Sequence, residues 1–295
     1  MSGWPLWEED GRDWPNRDSS RFVLAGGLEW HVQCEGSGPC LLLLHGTGAA
    51  THSWRDLLPL LAQRFSVVAP DLPGHGFSQT AAFRRMSLGA MAKSIEDLLA
   101  TLEVSPALVA GHSAGAAILA RMCIDQRIDA KGLISLNGAF LALRGLPGRF
   151  FSPIARVLSL SAAVPRLFAQ RASDPSLVNR LLRETGSRID AEGAQLYRRL
   201  ARKPAHVSAA LDMMANWNLD RLEAELPRLP VPLLLIVGTR DRSVSPAQAR
   251  RIKAMVPAAE LVSMPGLGHL AHEEEPQQTA DLIARFARDV EALPA

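Results

Sequence analysis

The 295-residue chain predicts an α/β fold: a mostly parallel central sheet with helices on both faces, and a helical lid inserted before a late strand. Three observations carry that expectation. Short, fully apolar runs alternate with patterns of 3.6-residue period, as strands buried on both faces and their covering helices require. A serine flanked by glycines stands at one strand-to-helix junction. A stretch of about 90 residues without strand character then separates Asn137 from Pro232.

In chain order, residues 1–20 form a Trp-rich arm. Trp4, Trp7 and Trp14 lie among Pro5, Pro15 and charged side chains, too irregular for a helix or strand. Two readings stand. The indoles pack on the body of the protein, or they meet a membrane surface, a partner or a large apolar ligand. Arg21–Leu24 and Leu28–Cys34 flank Gly26-Gly27 and read as a hairpin. Strands follow at Cys40–Leu44 and Phe65–Ala69, with an amphipathic stretch, Trp54–Gln63, between them. Met91, Ile95, Leu98 and Leu102 give Leu88–Leu102 a helical period. Pro106–Ala110 is the next strand and Ala114–Asp125 the helix after it. Gly132–Leu136, Pro232–Val237 and Leu261–Met264 complete the strands, and Thr279–Val290 is the last helix.

Residues 21–140 and 223–295 are therefore the core, and residues 141–222 the cap. Helical patterns at Ser176–Leu182, Ala194–Leu200 and Val207–Trp217, broken by prolines, favour a folded lid over one structureless loop. The lid holds 13 Lys and Arg against 6 Asp and Glu, which leaves the rest of the chain net acidic. A solvated basic face explains this, and so does an anionic ligand entering beneath the lid.

Composition narrows the class. A hydrophobic content of 47% supports a full core, and a net charge of +2 gives no reason to expect nucleic acid. Cys34, Cys40 and Cys123 are odd in number and lack metal-ligand spacing. The acidic N-terminus is unlike a secretory signal, and no apolar run reaches the ~20 residues of a membrane span. The expectation is a soluble, cytoplasmic protein, with peripheral contact at a membrane left open by the arm, and with no metal and no cofactor.

The chemistry starts from Gly111-His112-Ser113-Ala114-Gly115, a strand-to-helix turn that would expose Ser113 Oγ above the sheet. Alone it is a weak signal, since chance supplies roughly 0.1 such matches in a chain of this length. Position strengthens it. Asp241 follows the strand ending at Val237, and His269 lies between the last strand and the last helix. Each has a plain alternative. Asp241 could cap the helix that starts near Pro246, and His272 competes with His269. Asp71 ends a strand in a Pro- and Gly-rich turn that suits a structural role, and Asn137 cannot act as a carboxylate. Ser113, Asp241 and His269 are the candidate triad, in the order Ser…Asp…His. The amides of Thr47 and Ala114 are the candidate oxyanion hole. His45, Gly46, Gly48 and His112 on the rim, with Phe150 and Phe151 of the lid, are the candidate substrate contacts.

The set His45-Gly46-Thr47-Gly48, Asp71-x-x-Gly74-x-Gly76-x-Ser78, Gly111–Gly115, Gly238-x-x-Asp241 and Gly268-His269 resembles the α/β-hydrolase superfamily over nearly all of residues 21–295. More narrowly, Asp13-Trp14-Pro15-Asn16-Arg17, the run Leu43–Trp54, the elbow and Gly266–Glu274 resemble the magnesium-chelatase accessory proteins of bacteriochlorophyll biosynthesis. That resemblance implies photosynthesis, a porphyrin or its ester as ligand, and magnesium-chelatase subunits as partners. Metal insertion needs no serine nucleophile, and the chain has no G-x-x-x-x-G-K-[ST] loop to drive it with ATP. A serine hydrolase serving the tetrapyrrole pathway is thus the first expectation. A general carboxylesterase or lipase-like enzyme and a non-catalytic porphyrin carrier are the alternatives.

Overall fold

The computed structural model describes residues 3–80, 86–141 and 163–294. One sheet holds β1 (Ser20–Ala25), β2 (Leu28–Glu35), β3 (Cys40–Leu44), β4 (Ser66–Pro70), β5 (Leu108–His112), β6 (Leu133–Leu136), β7 (Leu233–Gly238) and β8 (Glu260–Met264). Its order is β1-β2-β4-β3-β5-β6-β7-β8. The hairpin β1–β2 and the pair β2–β4 are antiparallel, and every later neighbour is parallel.

The inner parallel strands β3, β5 and β7 are largely apolar because both faces are covered. The edge strand β8, by contrast, is only partly buried and carries Glu260 and Ser263. Alternate residues of β3 enter different cores: Leu42 and Leu44 pack with Met91, Ile95 and Ile118, while Leu41 and Leu43 pack with Trp54, Leu58 and Ile283. In β7, Leu233 and Leu235 take the first side, and Leu234 and Ile236 the second. Transfer of such side chains from water, at about 25 cal/mol per Å² of apolar surface, is what holds the layers together.

Among the described residues the α-helices are α1 (Trp7–Asp10), α2 (Leu57–Ala62), α3 (Leu88–Leu102), α4 (Ala114–Ile124), α5 (Ala163–Arg171), α6 (Pro175–Glu184), α7 (Ala191–Ala201), α8 (Pro204–Ala215), α9 (Asp220–Glu225), α10 (Pro246–Met255), α11 (Ala271–Glu274) and α12 (Pro276–Asp289). The first core lies beneath α3, α4 and α10, the second beneath α2 and α12. Most strand and helix bounds fall within two or three residues of expectation.

The described part of the lid is helical, α5 to α9. Its α6 and α7 start earlier than hydrophobic period suggests, because Asp174 and Asp190 cap them. Their carboxylates accept from Ser176 N at 2.9 Å and Gly193 N at 2.7 Å, satisfying amides that a helix start leaves unpaired. Neither α5 nor α9 was marked by periodicity.

The arm is more ordered than its composition implies. Trp7–Asp10 makes one helical turn and Arg17–Ser19 a 3₁₀ turn. Trp14 is buried and its indole N–H donates to Thr51 Oγ1 at 3.0 Å. Trp7 stands edge-on to Phe22 and Phe77, with the Arg17 guanidinium 4.2 Å from its ring centroid. Of the two readings of the arm, packing on the body describes Trp7 and Trp14. The arm also reaches the lid: Arg199 grips both carboxylate oxygens of Asp13 at 2.7 and 2.8 Å, and Lys203 pairs with Asp10 at 2.6 Å.

Candidate active site

Loops at the carboxyl ends of the parallel strands converge beneath the lid, as open α/β sheets dictate. The turn from β5 into α4 is a single residue, Ser113, held at φ 50° and ψ −113°. A non-glycine residue with positive φ is strained, and its neighbours fix it there. Ser113 N–H donates to Leu136 O at 3.1 Å, and Ser113 O accepts from Ala139 N at 3.0 Å. The flanking glycines permit close approach. A Cβ at Gly111 would lie 2.4 Å from Ala116 N, and one at Gly115 only 2.0 Å from Leu44 O. Both contacts are with backbone that cannot swing aside. Gly115→Ala is therefore expected to destabilise the fold by about 3 kcal/mol, the upper end of core overpacking, read as a lower urea midpoint at unchanged slope.

Ala114 is the first residue of α4, where a backbone N–H has no intrahelical acceptor. Thr47 lies across the same cavity, its hydroxyl donating to Met213 Sδ at 3.4 Å.

Asp241, buried just beyond β7, is held by four donors. Its Oδ1 accepts from Ser243 N and Val244 N, both at 2.8 Å. Its Oδ2 faces His269 Nδ1 at 2.8 Å and accepts from Asn137 Nδ2 at 2.7 Å. Asn137, at φ 50° after β6, also donates to Gly268 O at 3.3 Å. An amide that could not itself be the candidate acid thus holds Asp241 in place, a role its residue type alone did not disclose. Of the competing histidines, His269 is the one joined to Asp241. His272 is buried against Trp54 and His112, its Nε2 2.9 Å from Ser53 Oγ, and burial first, then His269 and Arg55, depress its pKa to about 3.

A cavity of about 440 Å³ lies between these loops and the lid. Ser113, His269, His112, Thr47 and Gly48 form its floor, and Phe168, Val178, Leu181, Val207 and Leu211 much of its roof. Its polar wall groups include Thr185, Tyr197 and His206. His206 joins lid to core: Nε2 is 3.1 Å from Gly48 O, while Nδ1 accepts from Gly76 N at 3.2 Å. Burial lowers its pKa to about 4, so the neutral ring these two bonds require is the form present at neutral pH.

Four expectations need correction or restriction. No Lys or Arg among the described residues lines this cavity. Of the described lid cations, Arg199 and Lys203 turn to the arm and Arg180 to Glu184, where none is an unpaired charge on an apolar roof, which would be costly to desolvate. His45 does not line the cavity. Its ring is spent on structure, with Nδ1 2.8 Å from Gly46 O and Nε2 accepting from Leu72 N at 2.9 Å. Gly46 backs the floor rather than lining it: a Cβ there would meet His112 Nδ1 at 2.8 Å and Ser113 Cβ at 3.0 Å. Phe150 and Phe151 lie outside the described residues. His112 does line the cavity, its Nε2 3.0 Å from His269 O, and burial drives its pKa well down.

Among the described residues no group of three or more His, Cys, Asp or Glu side chains could hold a metal, and no helix is long and apolar enough to cross a membrane.

The model of the alpha/beta hydrolase family matches residues 41–282. The magnesium-chelatase 30 kDa subunit of Rhodobacter capsulatus is 38% identical over 263 residues, covering 88% of this chain and 92% of that protein. Among solved structures, the epoxide hydrolase CorEH superposes with a TM-score of 0.77 at 22% identity, over 92% of this chain and 99% of its own. An alpha/beta hydrolase fold protein from Burkholderia ambifaria gives 0.77 at 24% identity, over 91% and 98%. At such identities those two likenesses concern the fold alone.

Proposed function

The chain belongs to the alpha/beta hydrolase family, and from that premise we propose that it is a serine hydrolase acting on an uncharged, largely apolar ester or amide. The observation that carries the reading is the hydrogen-bonded pair Asp241–His269, opening on the same cavity as Ser113. In this reading His269 Nε2 takes the proton of Ser113 Oγ as the oxygen attacks the acyl carbon. Asp241 keeps the imidazole proton on Nδ1 and stabilises the imidazolium that forms. The N–H groups of Thr47 and Ala114 receive the oxyanion, each worth on the order of 3 kcal/mol. The protonated His269 then gives its proton to the leaving group, and water, deprotonated by the same ring, releases the acyl group as a carboxylic acid.

We assign the substrate to tetrapyrrole chemistry, and the protein to a role beside magnesium-chelatase subunits. Identity of 38% to a protein bearing that subunit's name supports this. The cavity volume falls within the range of small-molecule sites. Among the described residues the roof carries no Lys or Arg, which favours a porphyrin presented as its neutral ester over one with free carboxylates.

A serine-reactive fluorophosphonate tests the chemistry. The folded protein is expected to be labelled at Ser113, and the Ser113→Ala protein to remain unlabelled. An unlabelled native protein would overturn the hydrolytic reading. Titration of protoporphyrin and its dimethyl ester, followed by absorbance, tests the substrate class: tighter binding of the ester is the expected result.

A further inference from the structure

The geometry points to the lid turn Thr185–Arg188 as part of the catalytic support, with Ser187 the residue that positions His269. This rests on the triad reading given above. The turn joins α6 to α7 and is wedged between the two loops that carry Asp241 and His269. Thr185 O accepts from Arg242 N at 3.0 Å on the acid's loop and from His269 N at 3.4 Å on the histidine's loop. Ser187, buried to 2% exposure, accepts with Oγ from Leu270 N at 2.8 Å. Glu274 closes the circuit, taking Gly268 N at 2.8 Å and Arg188 N at 3.0 Å. The three successive amides Gly268, His269 and Leu270 are thereby fixed by acceptors, two of which belong to the lid.

Steric fit agrees with the bonding. Gly186 sits at φ +88°, and a Cβ there would lie 2.0 Å from Arg240 O. A Cβ at Gly268 would lie 2.3 Å from both Gly186 C and Ser187 N. The turn and the two catalytic loops are in backbone contact. No side chain could be inserted between them.

The loop needs such support. His269 stands on a short loop between β8 and α11, and the bond from Asp241 fixes its ring but not its backbone. A displacement of about 1 Å at a reacting group can cost 10²-fold in rate. Thr185 also lines the cavity while Ser187 does not, so a substrate beneath the lid touches the turn that holds the histidine. The lid is therefore part of the catalytic framework on this side, and it cannot lift here without releasing His269.

The test is Ser187→Ala, which removes one acceptor and no packing volume of consequence. On a chromogenic ester, kcat is expected to fall about tenfold with KM within twofold, because Ser187 does not touch the cavity. The urea midpoint should change far less than the rate. In the NMR spectrum the His269 Nδ1–H resonance should broaden and the Leu270 amide should exchange faster. Glu274→Ala, which frees Gly268 N and Arg188 N, should lower kcat and broaden the His269 resonance likewise, with faster exchange at the Gly268 amide, and serves if the first variant does not fold. A rise in KM alone, an unchanged kcat, or an unaltered His269 resonance would overturn the proposal. The NMR arm does not need hydrolysis, so it reads the support even if the native protein fails to take up fluorophosphonate.

Discussion

Asp241→Asn is expected to lower kcat on a model ester by about 10⁴-fold with KM little changed. The size of the effect follows from the hydrogen bonds at this residue. The carboxylate uses Oδ1 for Ser243 N and Val244 N, and Oδ2 for Asn137 Nδ2 and His269 Nδ1. An asparagine keeps the shape but has one acceptor oxygen. With that oxygen on the two backbone amides, its NH₂ group faces His269 Nδ1 and Asn137 Nδ2. The imidazole then places its proton on Nε2, where it can no longer take the Ser113 proton as the proposed mechanism requires. The wrong tautomer, rather than a misplaced ring, stops the reaction. Burst kinetics and the rate of fluorophosphonate labelling should fall together, while near-UV circular dichroism stays the same. A loss below tenfold would mean that another acid serves His269. The nearest alternative considered in the sequence, Asp71, is committed elsewhere, to His31 and to the amides of Thr51 and Phe77.

How much of this was legible from residue order depends on the range of the interaction. The runs Cys40–Leu44 and Leu88–Leu102 were readable to the residue, because apolar period and strand length are local properties. That Ser113, Asp241 and His269 lie at one end of the sheet was readable because each follows a strand, and parallel strands bring their carboxyl ends together; their catalytic roles are the proposal. Thr185, Gly186 and Ser187 were not. Their partners, Arg240, Arg242 and Leu270, stand more than fifty residues away, and a Thr-Gly-Ser turn gives no sign of what it touches. Asn137 was noticed for what it cannot do, and its grip on Asp241 emerges only in three dimensions. The lid charge was counted correctly, yet a count carries no direction. Arg199 and Lys203 turn to Asp13 and Asp10 of the arm, so the acidic N-terminus and the basic lid balance each other across a contact. Asp13 is 70% exposed, so that contact contributes within the 0–1 kcal/mol of surface pairs.

Asp71→Asn should cost the fold about 3 kcal/mol, the upper range for leaving a buried hydrogen-bonding group unsatisfied. Asp71 is fully buried after β4, its Oδ1 2.6 Å from Thr51 N and its Oδ2 2.8 Å from His31 Nδ1 and 2.9 Å from Phe77 N. It ties together the loop that begins at Gly46, the turn ending at Ser78 and the strand β2. A Cβ at Gly76 would lie 2.0 Å from Oδ2, so the turn closes directly over the carboxylate. An amide in this place leaves one buried donor facing another, which costs the full desolvation of that group. Burial by itself raises the Asp71 pKa, but the His31 imidazole and the Phe77 amide outweigh it and hold the carboxyl below the usual range. The sign of the pH dependence follows. A folded pKa below the unfolded value of about 3.9 contributes stability that is complete above that value and fades as pH falls beneath it. Urea midpoints should therefore differ most between native protein and variant near neutral pH, and the gap should narrow below about pH 4. A difference under about 1 kcal/mol at pH 7, or a gap that widens in acid, would mean that Asp71 is not ionised in the fold. The same loops carry Thr47 and Gly48 to the cavity floor, so esterase activity in the variant should fade at temperatures where the native protein still turns over.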